Sequence, residues 1–165
     1  MLIGEQAGDR EDIEGAPFVG PAGRLLDQAL DEIGIARESL YVTNVIKHFK
    51  FEQRGKRRLH KRANAAEIEA CVSQWLDREI LSIAPRYVVC LGALAARVMF
   101  GASFKLQRQR GVWMHVASNR WCLATVHPSF VLRSRIGGGY DAAYRAFVSD
   151  LAMLKELPVS RHAIE

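Results

Sequence analysis

Ile3-Gly4-Glu5-Gln6-Ala7-Gly8-Asp9-Arg10-Glu11-Asp12, running on to Gly15-Ala16-Pro17-Phe18-Val19-Gly20-Pro21-Ala22-Gly23, is the stretch whose reading decides the fold. A short apolar lead, Met1 to Ile3, gives way to a glycine-rich acidic loop. The loop ends where Arg24-Leu25-Leu26-Asp27-Gln28-Ala29-Leu30 opens a helical pattern. Strand, Gly-rich loop and helix in that order is how an open α/β sheet builds a ligand site at the carboxyl end of a strand. Glycines let the backbone approach a ligand closely, and the helix start that follows favours an anion. Alone, this pattern is shared by many phosphate- and nucleotide-binding folds. Phe18, a ring set between Pro17 and small residues, sharpens it, against the competing reading of a ring that only caps the core.

With 165 residues, the chain is long enough for one domain with a sizeable core. Hydrophobic content of 49% and charged content of 25% are ordinary for a globular protein. No apolar run reaches membrane-spanning length and no signal-peptide pattern opens the sequence, so a cytoplasmic location is expected. The formal charge of +5 makes a polyanionic partner plausible. Much of that charge is clustered in Lys47, Lys50, Arg54, Lys56, Arg57, Arg58, Lys61 and Arg62, with His48 and His60 among them. The run interrupts a strand-helix pattern, which favours a functional loop over a merely solvated face. The three cysteines, Cys71, Cys90 and Cys122, make no disulfide framework. Cys90 and Cys122 sit inside apolar runs and read as buried filler. Cys71 lies near the start of a helix, just after the basic loop.

Helical spacing from Leu26 to Ile33 stops at Gly34. Leu40 to Ile46 reads as a buried strand carrying Asn44 near its carboxyl end, either a turn former or a ligand reader. Residues 47 to 64 read as a long basic loop, and Ala65 to Ala84 as a helix with the stripe Ile68, Val72, Trp75, Leu76, Ile80 and Ile83. Arg86 to Leu91 is the next strand and Ala93 to Phe100 a short helix. Gly111 to Val116 has a weaker strand pattern, antiparallel or irregular. Trp121 to Val126 is a strand that delivers His127-Pro128-Ser129, and after the flexible joint Gly137-Gly138-Gly139 the helix Ala142 to Leu157 closes the chain. Four strands alternating with helices imply an α/β fold with a parallel sheet covered on both faces. Loops bearing Glu5, Phe18, Asn44 and His127 then gather at one sheet edge.

Together, Gly4-Glu5-Gln6-Ala7-Gly8-Asp9-Arg10-Glu11-Asp12, Pro17-Phe18-Val19-Gly20, Tyr41-Val42-Thr43-Asn44-Val45-Ile46-Lys47 and His127-Pro128-Ser129 resemble the iron-sulfur uracil-DNA glycosylases of family four. Lys47-His48-Phe49-Lys50-Phe51 and Gly55-Lys56-Arg57-Arg58-Leu59-His60 resemble the UdgX branch of that superfamily, which carries an inserted basic loop ending in His. The resemblance covers nearly the whole chain. It implies a three-layer α/β/α sandwich around a four-stranded parallel sheet, a single domain over 1–165, a monomer, and uracil-containing DNA, preferably single-stranded, as the partner. Ala7 stands where the family loop usually has Pro.

The resemblance also assigns roles. Phe18 stacks on the flipped uracil, a contact of about 1–3 kcal/mol per base. Asn44 reads the uracil edge, donating to O4 and accepting from N3–H, a pattern cytosine cannot satisfy. Glu11 lies against C5, where it excludes the thymine methyl group, and Gly4, Glu5 and Gln6 line the sugar and base side. Glu5 stabilises positive charge on the sugar or polarises a nucleophile. His127 donates to uracil O2 as charge builds there, an oxyanion-type contact of about 2.7–4 kcal/mol in other systems. His60 attacks the sugar C1′ and stays bonded to it, and Arg58 keeps that imidazole unprotonated by like-charge repulsion. Lys56, Arg57, Ser129 and Arg133 contact DNA phosphates.

His48 and Cys71 take the places of two iron-sulfur ligands in UdgX-type proteins, and the family's other two come from a Cys-x-x-Cys ahead of the first strand. This sequence has no such motif. A [4Fe-4S] cluster normally takes four protein ligands. The expectation is therefore a domain lacking that N-terminal segment, with the cluster belonging to the intact family member. Two alternatives stay open: a turning-over glycosylase using water, and a non-catalytic single-stranded DNA-binding remnant.

Overall fold

A computed structural model describes residues 1–117 and 119–158; the side chain of Arg57 lies outside the described residues. The sheet is built from β1 (Leu2–Gln6), β2 (Val42–Ile46), β5 (Tyr87–Leu91), β6 (Met114–Ala117) and β7 (Arg120–Thr125) in the order β2-β1-β5-β7-β6. The four expected strands are parallel neighbours, and β6 adds an antiparallel edge to β7. The sheet thus has five strands rather than four. The weaker pattern at Gly111–Val116 is that edge strand, displaced toward Ala117, and its residues alternate between half-buried and exposed because only one side of it is covered.

Alternation along the central strands splits the interior in two. Leu2, Val89, Leu91 and Leu123 enter one core with helices α2 (Pro21–Glu32), α7 (Pro128–Arg133) and α8 (Tyr140–Ala152). Ile3, Val88, Cys90, Cys122 and Ala124 enter the other, beneath α3 (Ala65–Cys71), α4 (Asp77–Ile83) and α5 (Ala93–Phe100). Successive strand residues point to opposite faces, so a continuous apolar run fills both layers. Each fully buried aliphatic side chain contributes about 1.5–3 kcal/mol. Cys90 and Cys122 are filler as read: burial pushes both thiols up, Cys122 to about 12.

Several local readings are corrected. The acidic loop contains a helical turn and a half, α1 (Asp9–Glu14), started by acidic residues at its positive end. Helix α2 starts at Pro21, whose fixed φ suits a first helical position, rather than at Arg24. The supposed loop at 47–64 holds an antiparallel hairpin, β3 (Phe51–Arg54) and β4 (Arg57–His60), turning at Gly55 with φ 59°. Ala65 to Ile83 is helical throughout, one residue short of the expected end because Ala84 turns left-handed at φ 47°, and it widens at Val72–Leu76 into five-residue turns. That widening rotates the apolar stripe: Leu76 and Ile80 are buried, while Trp75 is 59% exposed. The closing helix ends at Ala152 in a short tight turn.

Helix α8 is fastened to the sheet by one polar cluster. Asp150 accepts from Arg110 Nε at 2.7 Å and from the fully buried Thr125 hydroxyl at 2.5 Å. Arg110 also donates to the Ala146 carbonyl at 3.0 Å. Asp150→Ala leaves Arg110 and Thr125 without their acceptor, at about 1–3 kcal/mol. In a chain of this size that lowers Tm by about 2–4 °C per kcal/mol, measurable by calorimetry, and Asp150→Asn loses less.

Candidate active site

The site begins with a missing side chain. Gly4 pairs with Asn44 across β1 and β2. A Cβ there would stand 2.2 Å from Asn44 Oδ1 and 2.5 Å from the Phe18 ring, so only glycine lets the amide and the ring pack this closely against β1. Asn44 is 5% exposed and its Oδ1 has no hydrogen-bond partner among the described residues. A buried acceptor left unpaired costs about 1–3 kcal/mol, so this one calls for a donor from outside.

Phe18 sits in the left-handed region at φ 57°, a strained backbone for an aromatic residue. Three neighbours hold it there. Gly23 lets α2 press against the Phe18 carbonyl, where a Cβ would come within 1.7 Å. Arg37 donates to the Pro17 carbonyl at 2.8 Å and to Asp27 at 2.6 Å. Glu11 accepts from the Gly20 N–H at 2.8 Å. Glu11 thus faces the cavity while one carboxylate oxygen ties down the Phe18 loop.

His127 leaves β7 and caps α7. Its Nδ1 accepts the Ser129 N–H at 3.1 Å and lies 2.8 Å from the Ser129 hydroxyl. A backbone N–H can only donate, so the neutral ring carries its proton on Nε2. Burial, with Arg133 and His60 nearby, lowers its pKa from 6.5 to about 4. The ring is 5.7 Å from Phe18, centre to centre, and presses on Gly92, whose φ is 103°. At neutral pH His127 is therefore an uncharged donor. Ser129, expected on phosphate, instead spends its hydroxyl between His127 and Arg133, which donates to it at 3.1 Å.

The hairpin is clamped at its base. The Lys50 carbonyl accepts from Gln6 Nε2 at 3.1 Å and from Lys61 N–H at 2.8 Å, while Lys50 Nζ reaches both Glu67 oxygens at 2.7 and 2.5 Å. Gln6 is thus engaged by the hairpin as well as facing the cavity. Arg58 pairs with Asp9 and Asp12 and lies over the rings of Phe49 and Phe51 at 5.5 and 4.9 Å. Asp12 also accepts from the Phe49 N–H at 3.0 Å. Arg58 is thereby held away from the cavity wall, and its charge is answered by carboxylates. His60, last residue of β4, packs against Phe49 at 6.1 Å between ring centres.

These elements enclose a cavity of about 650 Å³. Its floor and base-sized end carry Phe18, Asn44 and His127, and Glu5, Gln6 and Glu11 line the β1 side. His60, Ser129 and Arg133 also border it. Lys56 does not; it is exposed at the hairpin turn. Arg62, Phe49 and Leu132 are lining residues the sequence reading did not single out. Arg62 was visible only as one cation in a run, and which of those cations faces inward depends on the hairpin's register.

The metal assignment finds less support. His48 is exposed and lies near Glu67, whose carboxyl it helps hold low after the larger effects of the Lys50 and Asn64 hydrogen bonds. Cys71 is buried at the end of α3. Among the described residues no group of three or more His, Cys, Asp or Glu could hold a metal. The described residues therefore do not fit a [4Fe-4S] cluster, and no chemical step below uses one.

Residues 1–152 match the uracil DNA glycosylase superfamily. The chain belongs to that superfamily. It is 34% identical over 156 residues to a type-4 uracil-DNA glycosylase of Archaeoglobus fulgidus, covering 88% of this chain and 73% of the relative. Against the type-4 uracil-DNA glycosylase of Thermotoga maritima it is 35% identical over 136 residues, 82% of this chain and 67% of that one. The relative in Sulfurisphaera tokodaii, also a type-4 uracil-DNA glycosylase, is 36% identical over 140 residues, and the chain spans 60% of its length. The five-stranded, mostly parallel sheet is consistent with the superfamily fold.

In this superfamily member the His127 state is directly measurable. Only the unfolded chain takes up the proton between pH 6.5 and about 4, so this residue's stabilising contribution, full above 6.5, is lost as pH falls through that window. Nitrogen-edited NMR is expected to show a His127 ring that stays Nε2-protonated and neutral at pH 6 and titrates near pH 4.

Proposed function

We propose that this chain is a uracil-DNA glycosylase that flips uracil into the cavity, releases it, and is captured by the abasic sugar at His60. The observation that carries the reading is the Asn44 Oδ1, unpartnered among the described residues, on the cavity wall where Asn44 and the Phe18 ring close on Gly4. Uracil N3–H is a donor for that oxygen and O4 an acceptor for the Asn44 amide, whereas cytosine presents an acceptor at N3. The Phe18 ring offers a stacking face.

The chemistry then follows from groups in place. Breaking the C1′–N1 bond leaves its electron pair on uracil, whose O2 gains negative charge opposite the His127 Nε2–H. A neutral donor suits that anion, since it stabilises charge without surrendering its proton. The sugar becomes oxocarbenium-like, and the Glu5 carboxylate can stabilise it. His60 supplies a lone pair to C1′, the new N–C1′ bond forms, and the imidazole N–H proton is lost to solvent while uracil takes one up. An N-alkylated imidazole has no easy leaving path, so turnover stops there. Similarity to type-4 enzymes and the Glu5 carboxylate, which borders the cavity and has no partner among the described residues, favour a second reading, in which water takes the place of His60.

Incubation with a uracil-containing single-stranded oligonucleotide is expected to give a heat- and SDS-stable shifted band, absent for His60→Ser. A band that survives that substitution removes His60 as the nucleophile, and abasic product beyond one equivalent of enzyme selects the water reaction. Gly4→Ala forces Asn44 and the Phe18 ring out of their places and is expected to slow uracil release by about a hundredfold or more, read from single-turnover rates.

A further inference from the structure

The cations of the basic insertion are not equivalent once their partners are counted. Lys47 is paired with Glu79 at 2.6 Å, Lys50 with Glu67, and Arg58 with Asp9 and Asp12. Lys56, Lys61 and Arg62 make no hydrogen bond or ion pair through their side chains with any described residue, and of these three only Arg62 borders the cavity, where it is exposed. Arg133, on the α7 side of the same cavity, is exposed too and donates only to a neutral hydroxyl. Arg10 also reaches the cavity, but Glu14 answers its charge at 3.0 Å.

Depth orders what each group can meet. Phe18 and Asn44 are buried at 4% and 5% exposure, His60 stands at the hairpin end, and the two unanswered guanidinium groups are at the exposed rim. A nucleotide entering base first puts its sugar beside His60 and its two flanking phosphodiesters at that rim. Guanidinium groups match phosphate oxygens in a bidentate geometry.

We propose that Arg62 is a phosphate-binding residue, which together with Arg133 grips the backbone on the two sides of the flipped nucleotide, while Arg58 holds the hairpin and touches no phosphate. The assignment rests on the glycosylase reading for its substrate but not for its test. Arg62 binds rather than reacts, so its loss should be felt in affinity and salt dependence and not in the chemical step.

The measurement is fluorescence-anisotropy binding of a uracil-free single-stranded oligonucleotide to the full chain across a salt series. It is made for wild type, Arg62→Ala, Arg62→Lys and, as an equal loss of charge away from the cavity, Arg97→Ala on α5. Loss of one phosphate contact makes the slope of log K against log salt shallower by about 0.7. Arg62→Ala is expected to show that change, and Arg62→Lys and Arg97→Ala to keep the wild-type slope. With the uracil oligonucleotide, Arg62→Ala should raise the half-saturating DNA concentration severalfold and leave the saturated single-turnover rate within about twofold of wild type. An unchanged slope for Arg62→Ala overturns the assignment. So does a saturated rate that collapses while the slope stays. Wild-type protein that releases no uracil yet shows the Arg62-dependent slope sinks the glycosylase reading and leaves the phosphate contact standing.

Discussion

An absent Cβ at Gly4 is the constraint on which the rest of the site depends. It lets a buried amide and an aromatic ring close on the same point of β1. Everything around it maintains that close approach. Phe18 keeps an unfavourable backbone conformation because Gly23, Arg37 and Glu11 act on its loop from three sides. A strained residue persists only where its surroundings over-determine it, and here the strain aims a ring at the strand pair that carries Asn44.

The second half of the site is mounted separately. The hairpin ending in His60 is joined to the body through the Lys50 carbonyl, the Lys50–Glu67 pair and the Arg58 link to Asp9 and Asp12. Those acidic residues belong to α1, whose own Glu11 secures the Phe18 loop. One short acidic helix therefore sets the position of both the ring and the imidazole. The ring and the imidazole are carried by different elements that share this single mount.

Charge is divided in the same way. Carboxylates answer Lys47, Lys50 and Arg58 near the fold, while Arg62 at the rim has no carboxylate partner among the described residues. Inside the cavity, burial keeps His127 uncharged and a backbone N–H fixes its tautomer.

By itself the sequence determined the parallel sheet, because apolar runs of five or six residues separated by helical spacing leave few other solutions, and it placed Phe18, Asn44 and His127 at one edge, because a parallel sheet brings its loops together. Its motifs also pointed to the superfamily that the match over residues 1–152 shows. What only the tertiary structure decided is how polar side chains are spent. Glu11, Gln6, Ser129 and Arg58 carry the right chemistry for substrate contacts, yet each has a protein partner within hydrogen-bond reach, and those of Gln6 and Arg58 lie 44 and 46 residues away, where no local pattern links them. The widened turns at Val72–Leu76 and the hairpin inside the basic run escaped for a related reason: periodicity reports which face is apolar, whereas the register of a widened helix or a short exposed hairpin is set by what it is tied to.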